Sequence, residues 1–304
     1  MADRIRAAKQ STTMPPPSLE LPLTPGAGIF DPSIDAEFWV PYSAAERAFA
    51  RMRRLANSPI VSRPACLMIE APTNHGKTQI AMRFKAVQEA SVGPGDGEMA
   101  VIPVIRFFAP PGSDRRLMLL RMIEELGAQP VSSRDATALQ NQLVHLLRRT
   151  GTRLILIDEF HQMLTGSAGA QTAFLGVLKD LINETQIPVV VFGLREATRA
   201  LQTDQQLGNR FDVLEMPLWE PNESFARFAG CVWMTWFPED SELFESPNFI
   251  QRLHAETEGL TGEVVKRLRA IAYRARIEGV AKLSEEYARY VPWTPPSRRR
   301  AGIG

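Results

Sequence analysis

The stretch from Leu67 to Phe84, "LMIEAPTNHGKTQIAMRF", constrains this chain more than any other. A short apolar run ends at Glu70, a loop of small and polar residues follows, and a helix-forming segment starts at Lys77. The loop comes within one residue of G-x-x-x-x-G-K-[ST], with Ala71 where the first glycine usually stands. In that pattern successive backbone N–H groups curl round phosphates, the lysine reaches the terminal phosphates and the hydroxyl binds Mg²⁺. The helix behind the loop adds its positive dipole end. Gly76, Lys77 and Thr78 fill the three chemically demanding positions. Alanine is acceptable at the first position if its φ stays negative. Ala71, Pro72, Thr73, Asn74, His75 and Gly76 therefore read as a phosphate cradle, with Lys77 and Thr78 serving nucleotide and magnesium. His75 is unusual in such a loop, and no metal-ligand partner stands at useful spacing from it.

A loop of this kind needs a parallel sheet around it, and the sequence supplies the strands. "ACLMIE", "MAVIPVIRFF", "RLILIDEF", "IPVVVFGL" and "FDVLEMPLW" are short runs with apolar residues on both faces or nearly so. Helical spacing alternates with them in "AERAFARMRRLAN", from Lys77 into the 80s, and in "SDRRLMLLRMIEELG", "ATALQNQLVHLLRRTG" and "QTAFLGVLKDLINET". Ser113 suits an N-cap, and Gly127 and Gly151 suit helix stops. Short apolar strands alternating with helices predict a parallel sheet covered on both faces. From about Glu220 the strand signals fade and three further helices follow, which predicts a smaller helical lid behind an α/β core. The expected division is a Pro-rich N-terminal arm at 1–35, a core at 36–220, a lid at 221–290 and a basic tail at 291–304. Arg298, Arg299 and Arg300 in that tail read as solvated or as phosphate contacts.

The 304-residue length is ample for a buried core. The net charge of +1 gives no global drive toward nucleic acid or acidic lipid, so such binding requires a local patch. Cys66 and Cys231 are the only cysteines, which excludes a disulfide scaffold; Cys66 reads as a small buried hydrophobe. No apolar stretch is long enough to cross a membrane, and the N-terminus has no signal-peptide core. The expected location is cytoplasmic.

The second half of a nucleotide site should be an acidic residue ending a neighbouring strand, and "LILIDEF" provides it. Asp158 suits the Mg²⁺ shell and Glu159 suits polarisation of an attacking water. Arg210, just before the last strand, is either a surface arginine or one that reaches the γ-phosphate held by a neighbouring subunit. Lys266 or Arg267, early in a lid helix, touches the nucleotide or belongs to a solvated basic face. A polar residue that senses the γ-phosphate often ends the fourth strand, but Leu194 stands there. The sensor is missing, displaced to Arg195 or Glu196, or supplied elsewhere.

The combination of "APTNHGKT", "LILIDEFHQML", "IPVVVFGLREA", "LGNRFDVLEMPLW" and "GLTGEVVKRLRAIAYRA" resembles the AAA+ ATPases, and within them the TniB/TnsC family of transposition regulators. The resemblance runs roughly from Tyr42 to Ala281. It implies a three-layer P-loop fold with an AAA+ core and a protein that binds ATP and Mg²⁺. It also implies a homo-oligomer assembled as a ring or filament on double-stranded target DNA, which recruits a transposase and works with a target-selection protein. In such a protein Lys77 and Thr78 bind ATP and magnesium, Asp158 and Glu159 serve magnesium and hydrolysis, and Arg210 acts between subunits. The departures are Ala71 and Leu194, and they bear on hydrolysis rate more than on binding. For DNA, Arg115 and Arg116 in "FFAPPGSDRRLM" are the candidates, with ordinary helix-surface charge as the rival. Two rival functions use the same loop: a nucleotide-switched signalling or scaffold ATPase without DNA, and a helicase-loader-like ATPase.

Overall fold

The computed structural model describes residues 32–92, 100–131, 135–238, 240, 242–280 and 282–301. Residues 1–31 of the expected arm lie outside the described residues. In chain order the elements are α1 (Pro32–Asp35), α2 (Ser43–Ala56), β1 (Cys66–Glu70), α3 (Lys77–Ser91), β2 (Val104–Phe108), α4 (Arg115–Glu125) and α5 (Ala136–Arg149). There follow β3 (Leu154–Asp158), α6 (Ala168–Thr185), β4 (Val189–Gly193), α7 (Arg195–Thr203), α8 (Gln205–Gly208) and β5 (Phe211–Glu215). The chain then turns wholly helical: α9 (Glu223–Met234), α10 (Pro247–Thr257), α11 (Thr261–Glu278), α12 (Glu285–Tyr290) and α13 (Pro296–Ala301).

All strand pairings are parallel, and the order across the sheet is β2-β3-β4-β1-β5. Strand alternation divides the core in two. Leu67, Ile69, Leu154, Leu156, Val190 and Phe192 face α2, α3 and the late helices. Cys66, Met68, Ile155, Ile157, Val189 and Val191 face α4–α7. The helices after β5 thus share a hydrophobic cluster with the loop helix α3 and one sheet face. Cys66 is buried, as a small hydrophobe, and burial pushes its thiol up to about 11.

Two local expectations are corrected. Ser113 does not cap α4. It sits at φ 58° and its hydroxyl donates to Met163 O, while the Asp114 carboxylate accepts from the Arg116 and Leu117 amides at 2.9 Å each. The tail beyond residue 290 is not simply solvated. Trp293 Nε1 donates to Glu256 O at 2.8 Å, Pro296 is buried, and Arg299 pairs with Glu263 and lies over the Trp293 ring. An indole and a ring proline supply the apolar surface that makes this docking favourable, which charge counting alone misses. Gly127 and Gly151 do sit just past α4 and α5, at φ 68° and 64°.

Candidate nucleotide site

The loop leaves β1 at Ala71 and enters α3 at Lys77, at the C-terminal end of the sheet. Asn74 at φ 60° and Gly76 at φ 87° take left-handed conformations that fold the loop back on itself. Such alternation turns successive amides toward one anion. Gly76 needs its missing side chain twice, for its φ and because a Cβ would stand 3.1 Å from the Tyr42 hydroxyl. That hydroxyl is itself buried, and burial pushes its pKa up to about 12 against the lowering effect of the Thr261 side chain beside it. The Lys77 ammonium donates to Ala71 O and Pro72 O, both at 2.7 Å. Burial lowers its pKa, against the opposing pull of the Glu159 and Asp158 carboxylates.

Asp158 reaches this place because of strand parity. It shares its sheet face with Leu154 and Leu156, the face that packs α3. One strand, β4, separates β3 from β1, so Asp158 and the first turn of α3, where Thr78 lies half-buried, border one crevice. Ligands of open α/β sheets bind in such crevices outside the strand C-termini. Asp158 is fully buried. Its Oδ1 accepts from the Glu159 amide at 2.9 Å and its Oδ2 from Arg106 Nη2 at 2.8 Å. Arg106 lies over the Phe108 ring at 4.5 Å. Glu159 follows at φ 52°, with its carboxylate 3.2 Å from His161 Nε2. These residues fit a nucleotide with magnesium: an amide-lined turn, a buried cation, a hydroxyl at the helix start and a buried carboxylate on the same face.

A cleft of about 480 Å³ runs from Gly76 past Trp39 and Tyr42 to Lys266 and Arg269 on α11. The loop's outer side is fastened to α11 and to the connection between β5 and α9. His75 is buried, donates from Nε2 to Pro217 O at 3.0 Å, and accepts on Nδ1 from the Thr261 amide at 3.3 Å. Only the neutral ring can do both, and burial, with Lys77 nearby, lowers its pKa while the Pro217 bond opposes that.

The structure therefore gathers the loop residues Ala71 to Thr78, Asp158 and Glu159 in one place, with Lys266 bordering the cleft. Arg267 is turned away: it is buried against Glu256 Oε2 at 2.6 Å and the Ala288 and Val291 carbonyls. Arg210 is at the other end of the sheet. Its carbonyl accepts from the Cys66 amide at 2.8 Å, a strand's length of roughly 15 Å from the loop at about 3.3 Å per residue. Arg210 donates to Asn183 Oδ1 at 2.8 Å beside a polar cleft of about 590 Å³ that includes Arg63. Arg115 and Arg116 open α4 at the same sheet end as the loop. Leu194 stands just past β4 and has no polar atom to offer; a turn later Thr198 donates to Glu70 Oε2 at 2.6 Å. The sequence reading passed over Arg106. The available signal was a single charge inside the apolar run "VIPVIRFF".

A family described as "Bacterial TniB protein" matches residues 32–221. No curated protein matches the chain. Among solved structures, the Aeropyrum pernix ORC2 protein in its ADPNP–ADP complexes aligns with TM-score 0.58 at 18% identity, covering 86% of this chain and 70% of that one. The Aeropyrum pernix ORC1 protein in complex with DNA gives 0.56 at 15%, covering 86% and 64%. Drosophila ORC bound to DNA gives 0.56 at 14%, covering 95% and 71%. At these identities the likeness is one of fold, a P-loop AAA+ core.

Proposed function

Because the chain belongs to the TniB family and has the AAA+ ATPase fold, we propose that it is an ATP-dependent regulator of DNA transposition. It binds ATP with magnesium, assembles on duplex DNA as a homo-oligomer and recruits a transposase, and hydrolysis releases it. The observation that carries the nucleotide part is the convergence of the buried Lys77 and Asp158 with the half-buried Thr78 and Glu159 on one crevice behind the turn of the loop. In this reading residues 36–220 are the nucleotide-binding core and 221–290 the lid.

Roles follow from position. Lys77 exchanges its two loop carbonyls for the terminal phosphate oxygens. Thr78 and Asp158 hold the magnesium, which when bound neutralises phosphate charge. Glu159 orients a water and takes its proton; the adjacent His161 holds the Glu159 carboxylate until then. Lys266 borders the nucleoside end. Arg210 is too far to serve its own loop, which supports a role on the γ-phosphate of a neighbouring subunit. Arg115 and Arg116 are assigned to DNA phosphates, where sequence-neutral contact needs only positive charge and amides. The solved ORC proteins that share the fold and hold DNA support the DNA part. Electron microscopy with a slowly hydrolysed ATP analogue and duplex DNA tests the whole reading. Rings or filaments on DNA are expected; no assembly with both present would overturn the DNA role.

A further inference from the structure

Helix α11 of the lid has no cap of its own. Its N-cap residue is Leu260, whose side chain can accept no hydrogen bond. First-turn amides have no partner within their helix and need acceptors from outside it. Here the phosphate loop supplies them. The Thr261 amide donates to His75 Nδ1 at 3.3 Å and the Gly262 amide to Asn74 O at 2.9 Å. Asn74 Nδ2 donates in turn to Glu263 Oε1 at 2.7 Å. From its other side His75 is fixed by Pro217 O, in the connection from β5 to α9. Trp219 of the same connection donates to Thr261 Oγ1 at 3.0 Å. The approach is close enough to need a glycine: a Cβ on Gly262 would come within 2.8 Å of Asn74 O.

We propose that Asn74 and His75 are positioning residues through which the phosphate-binding loop caps the lid helix, so that the loop's conformation sets that of the lid. Lys77 shows how occupancy would be transmitted. It holds Ala71 O and Pro72 O, and Pro72 is two residues before Asn74. Drawing the ammonium onto a phosphate frees those carbonyls, and the next fixed points along the backbone are the two caps of α11. The route needs no polar sensor after β4, where Leu194 stands. The transmission step rests on the loop binding a nucleotide; the cap itself does not.

Hydrogen exchange on the full chain, read by mass spectrometry with and without Mg²⁺ and a slowly hydrolysed ATP analogue, tests both parts. Without nucleotide, His75→Ala should speed exchange at the start of α11 roughly fivefold, the factor a lost helix cap carries, with the sheet unchanged. His75→Asn, whose Oδ1 stands near the place of Nδ1, should restore protection. With the analogue bound, as followed by fluorescence of a labelled nucleotide, the wild type should change exchange in α11 and His75→Ala should not. Unchanged exchange at the start of α11 in His75→Ala would overturn the cap. A full nucleotide-dependent change in that variant would overturn the coupling. If His75→Ala does not fold, Asn74→Gly, which tolerates φ 60°, must weaken the same nucleotide-dependent change or the proposal fails. A wild type that binds no analogue would refute the nucleotide reading instead, and the nucleotide-free comparison would still judge the cap.

Discussion

Arg106→Ala should be one of the costliest single substitutions outside the phosphate loop. Asp158 is wholly buried, and one of its two oxygens depends on the Arg106 guanidinium at 2.8 Å. Charges about 4 Å apart at an effective dielectric near 20 attract by about 4 kcal/mol. Removing one partner of a buried pair typically costs about 3–5 kcal/mol. The Glu159 amide still holds Oδ1, and the shortened side chain admits water, so the lower end, about 3 kcal/mol, is expected. At about 2–4 °C per kcal/mol for a domain of this size, the midpoint should fall by about 6–12 °C. Circular dichroism on heating and a urea titration both measure it. Asp158→Asn in the Arg106→Ala background should recover a large part, since a neutral amide needs no counter-charge. Arg106→Ala within about 0.5 kcal/mol of wild type, or an equal cost in the Asp158→Asn background, would refute the pairing argument.

Lys77→Ala should abolish binding of a fluorescent ATP analogue without unfolding the sheet. Glu159→Gln should bind the analogue normally and lose about 10²–10⁴-fold in phosphate release; normal turnover would show that Glu159 is not the base. Gly262→Ala sets about 1–3 kcal/mol of overpacking against at most about 1 kcal/mol of helix propensity, so it should destabilise in urea; a stabilised variant would mean that the loop and α11 do not pack closely at Gly262. His75 binds its proton less readily when folded. Its contribution is therefore complete above the ordinary imidazole pKa of about 6.5 and is lost as pH falls through the folded value. His145, His161 and His254 are also present in the chain, so the readout is the difference between wild type and His75→Asn. That difference should shrink below about pH 6.5, and a difference independent of pH would remove the neutral-ring argument.

The sheet was legible because β1, β3 and β4 are short apolar runs buried on both faces, while β5 at the edge leaves Asp212 and Val213 exposed, and because "GKT" and "IDE" mark the strand ends that carry charge. The placement of Asp158 opposite α3 follows from strand parity once the order is known. What sequence spacing does not carry is contact between distant segments. His75 and Thr261 are 186 residues apart, and Arg106 and Asp158 are 52 apart. Neither pair has a local signature. Lys266 and Arg267 are neighbours with the same charge, yet one borders the cleft and the other is buried under α12, a difference set by which face of α11 meets Glu256 and Val291. The cap of α4 went to Asp114 over Ser113 because the serine's left-handed backbone commits its hydroxyl to Met163 O.

Glu263 links the phosphate loop to α13. Its nearly buried carboxylate receives Asn74 from the phosphate loop, Lys266 from its own helix and Arg299 from α13. One anion thus spans three segments that are remote in sequence. Shortening the chain before Trp293, or fusing a bulky partner there, strips a cation from the residue that Asn74 grips. The electrostatic surroundings of Asn74 therefore depend on the segment from Trp293 to Arg299, and truncations or fusions that disturb it are not neutral.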